Sequence, residues 1–413
     1  MSKRALLRPG LAGALLCALA ACTGTPRADL QPGQAPAADT VEAGLWLVMD
    51  KAETRLKTSG RVIPDPELQA YVNDIVCRLA AEHCAHIRAY AVRQPGFNAS
   101  MAPNGFMSVW SGLILRCENE DQLAAVIGHE IAHYVRRHSV QRWEAMRDSL
   151  TAAQLFGVVT AVAGVPLGGF AVLGAYGHVQ SYSRDHEREA DTFGFTLMSE
   201  GGYDPRAAPQ IWRNLIAEKE AAEEEAPDPF FASHPPSEER LETLSALATE
   251  FVTPESPGPE SPGPENSDSE GSGSESSARG KPGDSRFETL VARYRATWLE
   301  DEIDLGHYAQ MQVLLDRLKE SGQSPGVVWY YQGEILRRDA EVEDKNEAVA
   351  ALRQALTFDD VPPVAHRSLG LVLQYQGEHA QARQAFENYL AAAPDADDGA
   401  MIEFYIKKLE TKS

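Results

Sequence analysis

From Phe251 the sequence enters a run that no folded core can use. Pro254-Glu255-Ser256-Pro257-Gly258-Pro259 nearly repeats itself and then gives way to a Ser/Gly/Glu tract ending near Ser285. Few residues there could bury anything, so the stretch over 251–285 is expected to be a disordered acidic linker. A chain of 413 residues already exceeds what one compact core usually occupies, and this break divides it. It leaves a body over 41–250 and a tail over 286–413, both of ordinary domain size.

The tail reads as helical and repetitive. Aligning Trp329 and Gly333 with His366 and Gly370 gives an offset of 37. That is the tetratricopeptide period of ~34 residues plus a short insertion at Glu341 to Asp344. In the second copy Leu369, Gly370, Ala382, Phe386 and Pro394 fall where that repeat wants an apolar contact, a close crossing, a small residue, a large one and a stop. An upstream helix pair from Phe287 to Leu318 completes the stack, because lone repeats cannot bury their faces. Amphipathic helices of no repeat class are the alternative. On either reading the tail binds a protein partner and carries no chemistry.

The N-terminus reads as an export signal. Lys3, Arg4 and Arg8 precede an apolar stretch, Leu11 to Ala20, too short to span a bilayer comfortably. It runs into Leu19-Ala20-Ala21-Cys22, which resembles the lipobox of bacterial lipoproteins. Residues 1–21 would then be a signal peptide, Cys22 the lipid anchor, and residues 22–40, with Pro26, Pro32 and Pro36, a flexible tether. An ordinary signal peptide holding an incidental cysteine is the alternative. Thr23 after the cysteine, where Asp would favour retention, resembles sorting to the outer membrane, so the expected location is the bacterial periplasm, anchored to a membrane through acyl chains. Cys77, Cys84 and Cys117 then remain in a disulfide-permissive compartment. Cys77 and Cys84 stand two turns apart if one helix carries both, roughly 10 Å of rise, too far for a bridge unless that helix ends between them. The pairing stays open. A net charge of -22 argues against nucleic acid, which is bound by clustered Lys and Arg.

The apolar stretch Leu150 to Tyr176 is long enough to cross a membrane, but Gly157, Gly164, Pro166, Gly168 and Gly169 interrupt it. Two short helices joined at Val165-Pro166, buried or facing a membrane, are expected there; a true span is the alternative.

The chemistry gathers between these segments. Asn119 with Gln122 resembles a capping box, and Leu123, Ile127, Ile131 and Val135 recur every fourth residue, which predicts an amphipathic helix. On it lies His129-Glu130-Ile131-Ala132-His133. Residues four apart share a helix face, so both imidazoles can reach one ion, and Glu130 stands beside it to move a proton as general base. A second helix over Arg184 to Ser199 carries Glu187-Arg188-Glu189-Ala190-Asp191. Glu187 and Asp191 share a face, so one can ligate while the other fixes the tautomer of a ligand histidine; charges on a solvated surface helix are the alternative. Two imidazoles, a carboxylate and an open position suit Zn2+. His138 follows His133 by five residues, which rotates it off the ligand face, so a solvated basic patch with Arg136 and Arg137 is expected.

These pieces, together with Asn98 to Leu113 carrying Asn104-Gly105 and with His234-Pro235 ahead of Arg240, resemble the zinc metallopeptidase family that includes the CaaX prenyl protease, HtpX and BepA. The resemblance covers roughly Val41 to Leu247, and a body followed by tetratricopeptide-like helices is most like the BepA-type members. It implies an α+β fold, a mainly helical zincin-like domain with a small β-sheet followed by an α-helical repeat domain. It implies Glu187 as third ligand and Asp191 as its support. His234 would occupy the open metal position in a latent state, or else cap a turn. Arg240 would stabilise oxyanion charge, or else pair with Glu187 or Asp191. Gly105 to Leu113 is expected to form an edge strand, and the resemblance implies that an extended substrate adds to it through backbone bonds. The function expected is an endopeptidase of misfolded or stalled envelope proteins, docked through its tail. The rival is a chaperone or scaffold with a mostly structural metal site, which would need the ligands but not Glu130.

Overall fold

The computed structural model describes residues 30–149, 182–222, 230, 233–235, 238–251 and 286–410. The expected signal over 1–21, the anchor Cys22, the apolar stretch Leu150 to Tyr176 and nearly all of the acidic linker lie outside those residues. Among the described residues no helix is long and apolar enough to cross a membrane.

The stretch read as a flexible tether is held down over its second half. The Arg137 Nη1 donates to the Leu30 carbonyl at 3.1 Å, and a Cβ on Gly33 would overlap the His86 ring. Thr40 then caps α1 (Val41–Thr58) by accepting from the Ala43 N–H at 3.2 Å. Helix α2 (Pro66–Ala80) starts with Asp65 accepting from the N–H groups of Glu67 and Leu68 and with Pro66 at its first position, and buries Leu68, Val72, Ile75, Val76 and Leu79. It stops at Ala80, the chain turns through Ala81 at φ 45°, and a 3-10 turn over Ala81–His86 brings Cys84 back to Cys77. The two form a disulfide with Cα atoms 4.6 Å apart, and Cys117 stays a buried free thiol. The helix end that the pairing required is there.

Strands β1 (Arg88–Val92), β2 (Ala99–Met101) and β3 (Phe106–Trp110) make one sheet in the order β1-β3-β2. β3 runs parallel to β1 and antiparallel to β2. The segment expected as an edge strand is therefore the central one. Four successive buried residues, Phe106 to Val109, carry the signature of a strand flanked on both sides. Gly105 enters it at φ +83°, where a Cβ would overlap the His86 carbonyl, so only glycine serves there. On the outer side of β1 the Gln69 amide bonds both to the N–H and to the carbonyl of Ala91, at 3.0 and 2.9 Å, closing that edge. The sheet edge without a strand partner among the described residues is β2.

After α3 (Ser111–Arg116) come α4 (Glu120–Val135) and α5 (His138–Ser149), then α6 (Arg184–Glu200), α7 (Ala207–Ala221) and α8 (Glu238–Glu250). The tail is three helix pairs and a closing helix. The pairs are α9 (Arg286–Ile303) with α10 (Tyr308–Ser321), α11 (Pro325–Arg338) with α12 (Asn346–Ala355), and α13 (Val364–Tyr375) with α14 (His379–Ala392); α15 (Gly399–Glu410) follows. The two glycines aligned in the sequence do the same job, each letting its helix approach the next. A Cβ on Gly333 would overlap Leu352, and one on Gly370 would overlap the Phe386 ring. The insertion Glu341 to Asp344 falls in the loop between α11 and α12.

Body and tail meet over a buried face, and their apolar side chains form one continuous cluster. At its polar centre Arg116 of α3 donates through Nε to Glu218 of α7 at 2.6 Å and through Nη1 to Glu302 of α9 at 2.7 Å. Arg317 of α10 donates to the other Glu218 oxygen at 2.6 Å, and the Gly96 N–H donates to Glu302 at 2.7 Å. Two cations and two anions balance, and all but Arg317 lie under 10 % exposed. Removing Glu302 leaves two cations on the single carboxylate of Glu218, an uncompensated buried charge, so Glu302→Ala should lower unfolding stability in urea by about 3–5 kcal/mol, and Glu302→Gln by less.

Candidate metal centre

Helix α4 begins where the Asn119 side chain accepts the Gln122 N–H at 3.0 Å, while the Gln122 amide accepts the Glu118 N–H at 2.9 Å. From Gln122 to Tyr134 every residue of α4 is buried. It can be, because α6 crosses it at two glycines. A Cβ on Gly128 would lie 3.3 Å from the Gly194 carbonyl, and one on Gly194 would lie 3.0 Å from the His129 nitrogen. That close approach, backbone on backbone beside His129, brings the first turns of α6 level with the histidines of α4.

The sequence-predicted ligands converge. His129 Nε2 stands 3.0 Å from His133 Nε2 and 3.5 Å from Glu187 Oε2, and His133 Nε2 stands 3.5 Å from Glu187 Oε1. His234 completes the group, its Nδ1 3.1 Å from Glu187 Oε1 and 3.3 Å from His129 Nε2. One donor atom from each of the four lies within 4.8 Å of all the others. Donors held at 2.0–2.1 Å around a tetrahedral zinc ion sit about 3.3 Å apart, so the spacing fits. The donor chemistry fits as well: imidazole lone pairs and a carboxylate face each other in a buried space, and Glu187 Oε2 has no hydrogen bond.

Around the four stand charges that favour a cation. Arg240 binds Asp191 through Nε and Nη2 at 2.8 and 2.7 Å and lies over the Trp212 ring, so of the two roles expected for it the pairing is the one observed. Its Nη1 is 2.6 Å from Glu187 Oε2 but off the hydrogen-bond direction, a charge contact only. Asp191 meets His129 Nδ1 at 3.0 Å. Burial alone would push the His129 imidazolium down, yet Asp191 and Glu187 raise it to about 9. Burial and the neighbouring His129 hold His133 well below its ordinary value. The Glu187 carboxyl, although buried, is held well below the usual range by the charges of His234 and Arg240. Burial pushes the Glu130 carboxyl up, against the neighbouring charges of His234 and His129. Glu130 Oε1 faces His234 Nε2 at 3.3 Å.

Phe230 holds His234 in two ways: the His234 ring stacks on it at 4.7 Å, and the His234 N–H donates to its carbonyl at 2.7 Å. Tyr182, which the sequence did not point to, stacks on His133 at 4.0 Å and donates its own N–H to the Ser233 carbonyl. His138 corrects an expectation outright. It is 0 % exposed, with its Nδ1 3.0 Å from His133 Nδ1, and not part of a solvated patch. Helix α4 ends at Val135, Arg137 takes the left-handed conformation at φ 58°, and α5 starts a new axis at His138. The wheel angle that rotated His138 away from His133 applies only within one helix. Arg137 is tied in that conformation by Glu42 Oε2 at 2.6 Å and by the Leu30 carbonyl.

Residues 63–248 match the model of Peptidase family M48. A Vibrio cholerae protein named provisionally as a beta-barrel assembly-enhancing protease is 33% identical over 255 residues, 57% of this chain and 52% of that one. The mitochondrial metalloendopeptidase OMA1 of Schizosaccharomyces pombe is 35% identical over 164 residues, 39% of this chain and 46% of its own. The beta-barrel assembly-enhancing protease of Escherichia coli is 29% identical over 227 residues, 52% of this chain and 46% of its own. The chain spans about half the length of the relatives it matches.

If the crossing of α4 and α6 sets the site, Gly194→Val should abolish zinc binding measured by chelator competition, and Glu187→Ala should weaken it more than the roughly 10- to 100-fold that loss of an outer partner costs. An unchanged affinity in Gly194→Val would separate the crossing from the site.

Proposed function

Residues 63–248 belong to Peptidase family M48, and from that premise we propose that the protein is a zinc endopeptidase of the cell envelope, acting on unfolded or misassembled envelope proteins and held latent by His234. The observation that carries the reading is the buried convergence of His129, His133, Glu187 and His234 beside Glu130.

When bound, the ion supplies Lewis acidity that makes water acidic near neutral pH and polarises a carbonyl. The chain's own groups do the rest. His129, His133 and Glu187 hold the ion, with Asp191 and Arg240 fixing the ring of His129 and the position of Glu187. Glu130 takes a proton from the attacking water and delivers it to the leaving amine; its buried, raised carboxyl suits a group that must hold a proton between those two moments. His234 stands where the water and the scissile carbonyl would enter, against both Glu187 and Glu130. Its departure is the activating step.

The substrate edge is β2. β2 packs against α4, which carries Glu130, so a strand added along Ala99 to Met101 would lay its backbone past the base. Such binding reads little sequence and suits unfolded chains. The names of the Vibrio cholerae and Escherichia coli relatives support a role in envelope protein assembly, and the lipobox-like Cys22 supports anchoring in the periplasm, at the outer membrane. The tail, read as tetratricopeptide-like repeats, serves as the partner-binding module. A scaffold with a structural site would have no use for Glu130, which favours hydrolysis.

Incubating the full chain with an unfolded protein tests this. His234→Ala should cleave faster than wild type, Glu130→Gln should lose about 10²-fold or more, and a chelator should stop both. Cleavage that persists in Glu130→Gln removes the assigned base; no cleavage by any variant moves the function to the scaffold.

A further inference from the structure

The two ligand histidines of α4 are supported unequally. His129 Nδ1 meets the buried carboxylate of Asp191 directly, at 3.0 Å. His133 has no carboxylate at its Nδ1. What stands there is a second imidazole, His138, Nδ1 to Nδ1 at 3.0 Å. The other ring nitrogen of His138 lies 3.2 Å from Glu189 Oε2, and Glu189 Oε1 in turn faces Arg136 Nε at 3.2 Å. His138 is wholly buried and stacked on His186 at 4.4 Å, whereas the Glu189 side chain is 47 % exposed.

With His133 Nε2 given to a metal ion, the proton count of this row has one solution. His133 offers Nε2 to the ligand group, so its proton sits on Nδ1 and must be donated. The acceptor is His138 Nδ1, which is then bare, so the His138 proton sits on Nε2 and is donated to Glu189. Reversing either tautomer sets two hydrogens, or two lone pairs, against each other at 3.0 Å. We propose that His138 is a positioning residue for the metal ligand His133, fixing its tautomer and ring angle, and that Glu189 at the protein surface anchors the row. The inference rests on the zinc reading of the site. It makes the two imidazole ligands distinct: one is polarised by a buried carboxylate, the other through an intermediate ring by a carboxylate that solvent can reach.

Zinc affinity of the full chain, measured by competition with a chelating dye, tests it, with the melting midpoint of the metal-free form as control. His138→Phe fills the space but accepts nothing, and should weaken zinc binding by roughly 10- to 100-fold. His138→Asn keeps an acceptor near the place of Nδ1 and should recover most of that loss. Glu189→Gln changes a half-exposed residue, should leave the metal-free melting midpoint in place and should weaken zinc binding by a few-fold. Equal losses in the Phe and Asn variants would mean that His138 only fills space and would overturn the proposal, as would wild-type affinity in Glu189→Gln, which decides the matter if the Phe variant does not fold. A wild-type chain that takes up no zinc overturns the site reading and this inference together, whereas zinc bound equally by wild type and all three variants overturns the inference alone.

Discussion

Lone pairs that face one another in a dry space repel unless something positive lies between them. In this protein two imidazoles of α4, the Glu187 carboxylate of α6 and the His234 ring bring their donor atoms within 4.8 Å, all nearly inaccessible to water. The rest of the body can be read as what makes that arrangement tolerable. Gly128 and Gly194 let the two helices approach until a Cβ on either would crowd the backbone of the other. Asp191 and Arg240 neutralise each other while holding His129 and Glu187. The electrostatic outcome is a point that prefers positive charge despite its burial, as the raised imidazolium of His129 records.

The same closeness is what the proposed latency would rest on. His234 is held by stacking on Phe230 and faces both Glu187 and Glu130; on the proposed reading it fills the position a substrate would need. Phe230 also meets Phe97 edge to face at 4.9 Å, and the residue before Phe97, Gly96, gives its N–H to Glu302 of the tail. The docking face of the helix pairs is thus separated from the His234 ring by two aromatic side chains. The tail is no loose appendage: its α9 and α10 supply Glu302 and Arg317 to a charge network that α3 and α7 of the body complete.

Much of this was legible before any coordinates because it rests on local periodicity. A four-residue spacing puts His129 and His133 on one face wherever the helix goes, and the same spacing relates Glu187 to Asp191. The helix pairs of the tail follow from apolar recurrence and from Gly333 and Gly370, which occupy matching crossings. What was misread depended on where a periodicity stops. Helix periodicity puts His138 on the continuation of α4, which ends three residues earlier, and that angle does not survive the left-handed turn at Arg137. Phe106–Trp110, expected at an edge, is paired on both sides: β1 joins it in parallel from earlier in the chain, and β2, of three residues, is too short to carry a period.

The sequence by itself determined the donor types, their helical spacing, the base between them and the presence of a helical tail, since these follow from side-chain chemistry and the pitch of a helix. Spacing alone left Glu187 and Asp191 equivalent until the family resemblance pointed to Glu187 and His234, and the tertiary structure brought those two onto the imidazoles; only it decided that His138 stands behind His133 and that Cys84 folds back to Cys77. Each of those depends on the angle at which one element leaves another, set by packing summed over the whole core and written in no single stretch of residues.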